Sequence, residues 1–393
     1  MIRTQKTPPH LVTLILLASF STVSLNMFLP SLASIAVDLN ADYALVSLAV
    51  AGYLAITAVL QLIIGPLSDR FGRRPVMLSA LVIFIFGSVM CSLAQDVWTF
   101  LIFRMTQGGV IAGYTLSLAI VRDTSGDQKT ASLLGYISMS MALAPMLGPM
   151  LGGVIDTAFG WRANFYFYSV TGIVLLILCW IDLGETHHDR ADKSDPNADR
   201  FRHLLSEKRI WGYALTTALS AGAFYIFLVG APLVAQFTFQ VSTAELGFFI
   251  GSITGGFLVG SLISGLSASR FDITTTMLIG RIVACIGLCI GLAMVLTGDV
   301  SSLMYFGATI LVGLGNGITI PSSNAGMLSV RPKIAGSAAG FSGALMLGGG
   351  AILTSVAGIL IDQANAPIML LSLMLVVSIA GLITTLWVRG LPR

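Results

Sequence analysis

The chain has 393 residues, of which 55% are hydrophobic and only 10% are charged, with 21 basic against 18 acidic side chains and a mean hydropathy of +0.90. A soluble domain carries about 25% charged residues because it needs a solvated surface. The composition therefore excludes a soluble protein of this length, and a lipid bilayer must replace water around much of its surface.

Twelve apolar runs have the length of about 20 residues that spans a bilayer as a helix. We predict spans at 11–36, 45–66, 75–94, 97–120, 131–155, 163–183, 210–234, 245–268, 273–297, 301–324, 334–360 and 366–388. The alternating ten-residue segments of a membrane barrel are not seen, and the first run is too long for the core of a signal peptide. The sequence predicts an all-α polytopic membrane protein with 12 transmembrane helices.

Basic residues lie almost entirely on one side of these spans. Of the 21, 18 fall at the termini or in loops of that side, Arg162 alone lies opposite, and Arg104 and Arg281 lie within spans. Because basic loops stay in the cytoplasm, both termini are expected there.

The segment from Gly65 to Pro75 (Gly-Pro-Leu-Ser-Asp-Arg-Phe-Gly-Arg-Arg-Pro) is the most distinctive local pattern. Gly65 is expected to let helices approach closely, and Gly72 to permit a tight turn with positive φ. Asp69 is an acid at a cytoplasmic helix end, free to dock against the positive end of another helix. An ordinary basic loop would explain the arginines of the segment but not this spacing.

Arg104 in the fourth span is the most costly residue of the chain, at about 2.5–3.5 kcal/mol near the bilayer centre. We expect it to face a central cavity and to bind carbonyls or carboxamides, with Asn26 and Gln107 as candidates. Snorkelling to the outer surface is the alternative, because the span begins near Trp98. Arg281, nearer the cytoplasmic end of the ninth span, is interpreted as a snorkelling anchor.

The fifth span contains a run of prolines and glycines at Pro145, Gly148, Pro149 and Gly152. Prolines remove backbone donors and glycines thin a helix, so we predict a helix that bends and slides against a neighbour. The eleventh span, with its own glycines, is the expected neighbour. Packing of small residues without motion is the alternative.

A polar segment at 185–209 divides the chain into a six-helix bundle at 1–184 and a second at 210–393. A short repeat 200 residues apart supports two pseudo-symmetric halves: Gly65, Arg70 and Phe71 recur as Gly265, Arg270 and Phe271. Such repeats are typical of transporters with a midplane binding site.

Other side chains in the spans are candidates for contacts with a solute, because ligand pockets combine apolar walls with a few polar groups. They are Tyr53, Tyr114, Tyr136, Met139, Phe224, Phe227 and Asn316, each of which has packing or lipid contact as its plainer interpretation. Together with Arg104, and with no acid clearly at mid-bilayer, they favour a neutral, zwitterionic or anionic solute.

The motifs resemble those of one known family. The Gly65–Pro75 segment resembles the signature loop of the major facilitator superfamily. Arg104–Gly109 resembles its fourth-span signature, and Pro145–Gly153 resembles the fifth-span signature of drug exporters. Asn26–Pro30 resembles the first-span exit of the twelve-span drug:proton antiporters. Arg122–Asp123, together with Gly160–Phe165, resembles the bicyclomycin and chloramphenicol resistance branch.

The resemblance implies an exporter of small amphipathic molecules in a bacterial inner membrane that works by alternating access and proton antiport. Asp69, Arg70 and Arg73 would latch the cytoplasmic side, with Gly65 and Gly72 shaping the loop. The fifth-span prolines and glycines would form a second gating element.

One residue departs from the family pattern. Asn26 stands where the branch usually has Asp, and an amide cannot carry a proton between the two sides. The coupling acid, if there is one, is expected to be Asp123 beside Arg122, with Asp38 or Asp156 at the outer side as further candidates.

Two alternatives differ in class. An uptake carrier or uniporter of the same fold is favoured by Asn26 and disfavoured by the fifth-span pattern. A membrane enzyme is disfavoured because the sequence shows no nucleophile–base pair, and a receptor because it shows no appended soluble domain. We expect a monomer in the bilayer that exchanges solute and protons, without nucleic acid, cofactor or metal; the adjacent His187 and His188 are interpreted as solvated rather than metal ligands.

Overall fold

The computed structural model describes residues 9–124, 127–186, 207–267, 270–298, 300–330 and 335–391. Within these ranges the chain is helical and contains no β-strand, which confirms the all-α prediction. The chain divides into two compact units, Met1–Lys193 and Ser194–Arg393.

Within its described residues the first unit contains six helical segments, two of which are interrupted by a short 3₁₀ turn. The turns Leu29–Ser31 and Gln107–Ile111 join α1 to α2 and α5 to α6, because Pro30 and the pair Gly108–Gly109 disfavour a continuous α-helix. The helices are α1 (Leu11–Asn26), α2 (Leu32–Asp38), α3 (Tyr43–Phe71), α4 (Arg73–Leu93), α5 (Val97–Thr106), α6 (Ala112–Thr124), α7 (Asp127–Phe159) and α8 (Arg162–Asp182).

The described part of the second unit contains six further helices. The first is continued by a π-helical turn at Val234–Thr238 and is enclosed because it packs against three others of its unit, α12, α13 and α14. The helices are α9 (Lys208–Leu233), α10 (Thr243–Ser267), α11 (Ile273–Thr297), α12 (Ser302–Val330), α13 (Ala335–Leu360) and α14 (Ala366–Gly390).

Helices occupy all twelve predicted positions, and ten of them in the described ranges are long and apolar enough to cross a membrane. The fourth predicted span is not among these ten; it contains the charged Arg104 and consists of two short helices joined by the turn Gln107–Ile111. The fifth retains a shorter apolar stretch, Leu143–Phe159. The chain is therefore a multi-pass membrane protein.

An aromatic cluster from α1, α4 and α8 fills the interior of the first unit. Phe84 meets the rings of Phe20 and Tyr168 edge-on at centroid distances of 5.1 and 6.1 Å. Phe165 meets Tyr168 at 5.6 Å and Phe28 at 6.1 Å. Such edge-to-face pairs favour one ring arrangement, and this rigid cluster borders the buried Arg104.

Candidate functional site

Arg104 lies at the end of α5 with its side chain completely buried. One guanidinium nitrogen donates to Gln107 Oε1 at 2.5 Å, and another donates to the Ser24 carbonyl at 2.8 Å. The guanidinium carbon lies 4.1 Å from the Phe28 ring centroid and 4.3 Å from that of Tyr53. Arg104 therefore does not snorkel, and the predicted bond to Gln107 is confirmed.

The Ser24 carbonyl is available because it lies in the last turn of α1. The last carbonyls of a helix have no partner within it, and they form the negative end of the helix dipole. The hydroxyl of Tyr168 donates to the same carbonyl at 3.2 Å. This helix end helps to stabilise the Arg104 charge without a carboxylate, and none lies within ion-pairing distance of Arg104 among the described residues.

A chain of hydrogen bonds fixes the amide of Gln107. Its Nε2 donates to Ser88 Oγ at 2.7 Å, and Ser88 donates to the Phe84 carbonyl at 2.8 Å. The Gln107 side chain thus presents its oxygen to Arg104, and the tie to α4 holds that orientation.

Asn26 is buried at the end of α1 but does not bind Arg104. Its Nδ2 donates to the Thr22 carbonyl at 2.8 Å, while its Oδ1 is buried and accepts no hydrogen bond from the described residues. The prediction that Asn26 contacts Arg104 directly is wrong. Its amide instead bonds back to the carbonyl one turn earlier in its own helix.

The glycines of α7 approach α1 immediately beside Asn26. A Cβ at Gly152 would overlap the Met27 carbonyl, and one at Gly148 would lie 3.6 Å from the Met27 nitrogen. The Gly152 carbonyl also accepts from Asn164 Nδ2 at 3.3 Å. The nearest atoms to these glycines belong to Asn26 and Met27 at the end of α1, and the expectation of the eleventh span as a further neighbour stays a prediction.

The signature loop (Gly65–Pro75) makes its turn at Gly72, whose φ of 98° confirms the predicted left-handed conformation. A Cβ there would also overlap the carboxylate of Glu185. Glu185 accepts from the backbone nitrogens of Arg73 at 2.9 Å and Arg74 at 3.4 Å. An acid does dock on a helix N-terminus, but that acid is Glu185 and the helix is α4.

Arg73 joins the loop to α6. Its guanidinium contacts Asp69 at 2.6 Å and Asp123 at 3.1 Å, and it donates to Ser68 Oγ at 2.5 Å. Asp69, predicted to dock on another helix, instead pairs with Arg73 one turn along the chain. Arg70 is exposed and lies over the neighbouring Phe71 ring at 5.4 Å.

Gly65 does not have the predicted packing role in this conformation. No atom lies within 4 Å of the position that its Cβ would take. Close helix approach at this residue is therefore not observed, in contrast to Gly152.

The candidate coupling acids lie in three environments. Asp123 pairs with Arg73 and keeps 23% of its side chain exposed. Asp38 pairs with Arg162 near the outer ends of the helices. Asp156, on α7, is the one carboxylate classed as buried among the described residues, at 8% exposure, with Ser34 Oγ at 3.5 Å.

The remaining candidates are distributed over both units. In the first unit Tyr53 is buried against Arg104, Tyr114 is half-buried and Tyr136 is exposed. In the second, Phe224 is half-buried and Phe227 packs against Phe306 with ring centroids 6.1 Å apart. The side chains of Arg122 and Met139, like His187 and His188, lie outside the described part of the chain.

Arg281 is completely buried, so its interpretation as a snorkelling anchor is wrong. Its Nη2 donates to Asn316 Oδ1 at 2.5 Å and its Nε to Thr319 Oγ1 at 3.1 Å. The backbones of α11 and α12 come close here, because a Cβ at Gly315 would overlap the Gly280 carbonyl. Asn316 thus binds Arg281 rather than standing as an isolated polar group.

Sequence reasoning missed Ser24, Ser88 and Glu185, each for a recognisable reason. Serines within apolar spans carry no distinctive pattern, and a carbonyl acceptor is invisible in the side-chain sequence. Glu185 could have been found, because it is the first acid after the sixth span and lies on the same side of the predicted spans as the signature loop.

Comparisons with known proteins agree with this architecture. Residues 14–355 match the family model described as Major Facilitator Superfamily. The chain is 29% identical over 335 residues to the multidrug resistance protein MdtL of Shigella dysenteriae serotype 1, covering 83% of this chain and 84% of that protein. It is 30% identical over 340 residues to MdtL of Citrobacter koseri, covering 84% and 86%.

Solved structures share the fold at lower identity. A D-xylose-proton symporter superposes with a TM-score of 0.76 at 15% identity, covering 94% of this chain and 96% of that one. A bacterial homologue of the human lysosomal transporter Spinster superposes with a TM-score of 0.74 at 15% identity, covering 97% and 94%.

Proposed function

Because the chain belongs to the major facilitator superfamily, we propose that it exports small amphipathic compounds, antibiotics among them, across a bacterial inner membrane. The observation that carries the proposal is the similarity to MdtL multidrug resistance proteins over 83% of the chain. Alternating access is the mechanism of such carriers. Cytoplasmic termini are part of the proposal, supported by the basic loops.

Arg104 is proposed to select the charge of the exported compound. The guanidinium has no carboxylate partner among the described residues and is covered by Phe28 and Tyr53. An unneutralised cation repels cationic solutes and attracts neutral dipoles, zwitterions and anions. Gln107 and Tyr53 are proposed to contact the same solute when the site opens, since both touch Arg104.

Gating is proposed to involve two parts of the first unit. The Arg73 network joins the signature loop to α6, and the Gly148–Gly152 face joins α7 to α1 at Met27. A glycine contact allows one backbone to slide over another, because no side chain interlocks the two helices. Movement of α7 would therefore act directly on the helix end that holds Arg104.

Proton antiport is proposed to use a carboxylate of the first unit. Asp123 is the leading candidate, because protonation would release Arg73 and loosen the signature loop. Asp156 is the second candidate, because it is a buried carboxylate on α7 and binding or release of a proton would change the charge of that helix. Each candidate lies on an element of the proposed gate.

The test is transport of radiolabelled chloramphenicol into proteoliposomes under an imposed pH difference. We expect gradient-driven accumulation by the wild type and loss of the gradient dependence in Asp123→Asn. Asp156→Asn or Asp38→Asn identifies another coupling acid if it alone removes this dependence, and Asp362→Asn, at an exposed acid of the second unit, is the control. Transport of chloramphenicol that ignores the gradient in the wild type would overturn proton antiport.

A uniporter or uptake carrier is the second candidate function, and Asn26 is the observation that favours it. The buried amide occupies the position that is usually acidic in the resembling branch, and its Oδ1 accepts no hydrogen bond from the described residues. Counterflow separates the two functions. Exchange of labelled for unlabelled metabolite without any pH dependence would support the carrier and contradict the exporter.

A further inference from the structure

The second unit contains a cationic centre that the proposed export mechanism does not use. Arg281 is completely buried two turns inside α11 and bonds only to the carboxamide of Asn316 and the hydroxyl of Thr319. No carboxylate lies within ion-pairing distance of it among the described residues. Arginine stays protonated in proteins, so a full positive charge is enclosed by neutral groups.

Two donors at this centre lack acceptors in the described part of the chain. Arg281 Nη1 and Ser378 Oγ are buried without a hydrogen-bond partner. Nη1 lies beside α14, since a Cβ at Gly381 would stand 3.7 Å from it. Ser378 lies three residues before Gly381 on the same face of α14, one turn from the backbone position nearest Nη1.

We propose that Arg281, with Ser378 and Asn316 around it, binds a small monovalent anionic group: either the carboxylate of an amphipathic solute or an inorganic anion such as chloride. An unpaired charge inside a low-dielectric interior is costly, and a buried cation is normally paired. A bound anion supplies the missing countercharge and accepts from both free donors.

The contrast with Arg104 argues against a purely structural explanation. Two ring faces and the carbonyl end of α1 offset the charge of Arg104. Arg281 makes no cation–π contact with any ring of the described residues. A water molecule would satisfy the hydrogen bonds of Nη1 but leave its charge unneutralised.

The test measures anion binding rather than transport, so its failure is distinguishable from failure of the export function. The full chain is purified in detergent in sulfate buffer of constant ionic strength. Its thermal unfolding midpoint is followed during titration with chloride, with benzoate, and with benzamide as the neutral isostere of benzoate. We expect a saturable rise of the midpoint with at least one anion and none with benzamide.

Two variants remove the site in opposite ways. Arg281→Gln removes the charge, and Asn316→Asp supplies an internal carboxylate in place of the external anion. Both are expected to weaken anion binding by about tenfold or more, while Arg281→Lys retains part of it. Arg162→Gln, an arginine that already has Asp38 as its partner, is the control with wild-type binding.

The midpoint rise caused by the ligand, and not the starting midpoint, is compared between variants, so a general loss of stability does not imitate loss of the site. Saturation by benzoate alone identifies a solute carboxylate as the ligand, and competition by chloride identifies an inorganic anion. No rise with either anion, or an unchanged rise in Arg281→Gln, overturns the proposal.

Discussion

Among the described residues, Arg104 in the first unit and Arg281 in the second are completely buried, but the two charges are stabilised differently. Arg104 lies between the rings of Phe28 and Tyr53 and against the carbonyl end of α1. Arg281 lies within α11 and has only neutral side-chain acceptors. A buried cation can be stabilised by fixed dipoles and π faces, as Arg104 is, or by a bound anion, as proposed for Arg281.

Exchanging each arginine for lysine gives the largest expected difference. Arg104→Lys is expected to lower the free energy of unfolding by about 2–4 kcal/mol, because an ammonium cannot reproduce the planar contact with two rings or both hydrogen bonds. Arg281→Lys loses only a hydrogen bond and is expected to cost about 1–2 kcal/mol. Chemical denaturation in mixed micelles measures both, and equal losses would contradict the distinction between the two centres.

The signature loop offers the next contrast, because its turn has no glycine counterpart in the second unit. Gly72→Ala is expected to cost about 1–3 kcal/mol, since alanine disfavours a φ of 98° and its Cβ would displace Glu185.

Gly65→Ala and Gly265→Ala are matched controls, because neither Cβ would meet an atom within 4 Å. Alanine is a better helix former than glycine, so both should leave the unfolding free energy unchanged or slightly higher. Destabilisation by Gly65→Ala equal to that of Gly72→Ala would show that the repeated glycine, rather than the turn, is the sensitive position.

The smallest expected effect concerns the starts of the helices that carry the two arginines. Asp96 accepts from the backbone nitrogens of Trp98 and Thr99 at the start of α5, whereas Asp272 makes no such side-chain bond at the start of α11. Asp96→Ala is therefore expected to lower the unfolding midpoint, though by less than Gly72→Ala.

The contribution of Asp96 is expected to depend on pH. Hydrogen bonds from the Thr99 side chain and backbone lower the pKa of Asp96. A carboxyl with a lowered pKa in the folded state stabilises the protein above its unfolded pKa, and that stability is lost as pH falls through the folded value. The midpoint difference between wild type and Asp96→Ala should therefore shrink in acid, and a difference that grows would contradict the cap.

The fold was largely predictable because span length and charge asymmetry depend on composition alone. The Arg104–Gln107 bond was predictable too, because residues three apart lie on one helix face. The Ser24 carbonyl was not, since its availability depends on where α1 ends. Arg281 was misjudged because distance from a span end was taken as a measure of exposure, while its burial depends on how α12 and α14 pack.

The signature loop shows the same division between local and tertiary information. The positive φ at Gly72 follows from residue type and spacing, and it was predicted correctly. The acid that binds the N-terminus of α4 was not predicted correctly, because Asp69 and Glu185 are equally plausible until the path of the chain is known. Asp69 is close enough in sequence to meet Arg73 within one turn, which leaves the α4 N-terminus to Glu185.

The bond of Glu185 to α4 also matters for the design of fusion proteins. Its carboxylate binds the backbone amides of Arg73 and Arg74 and so holds the chain after α8 against the start of α4. A fluorescent domain or affinity tag inserted beyond Thr186 lengthens the chain after Glu185 without displacing its carboxylate. An insertion between Asp182 and Glu185 would move the carboxylate away from the helix, so the tolerance of the chain to added length should change abruptly across these few residues.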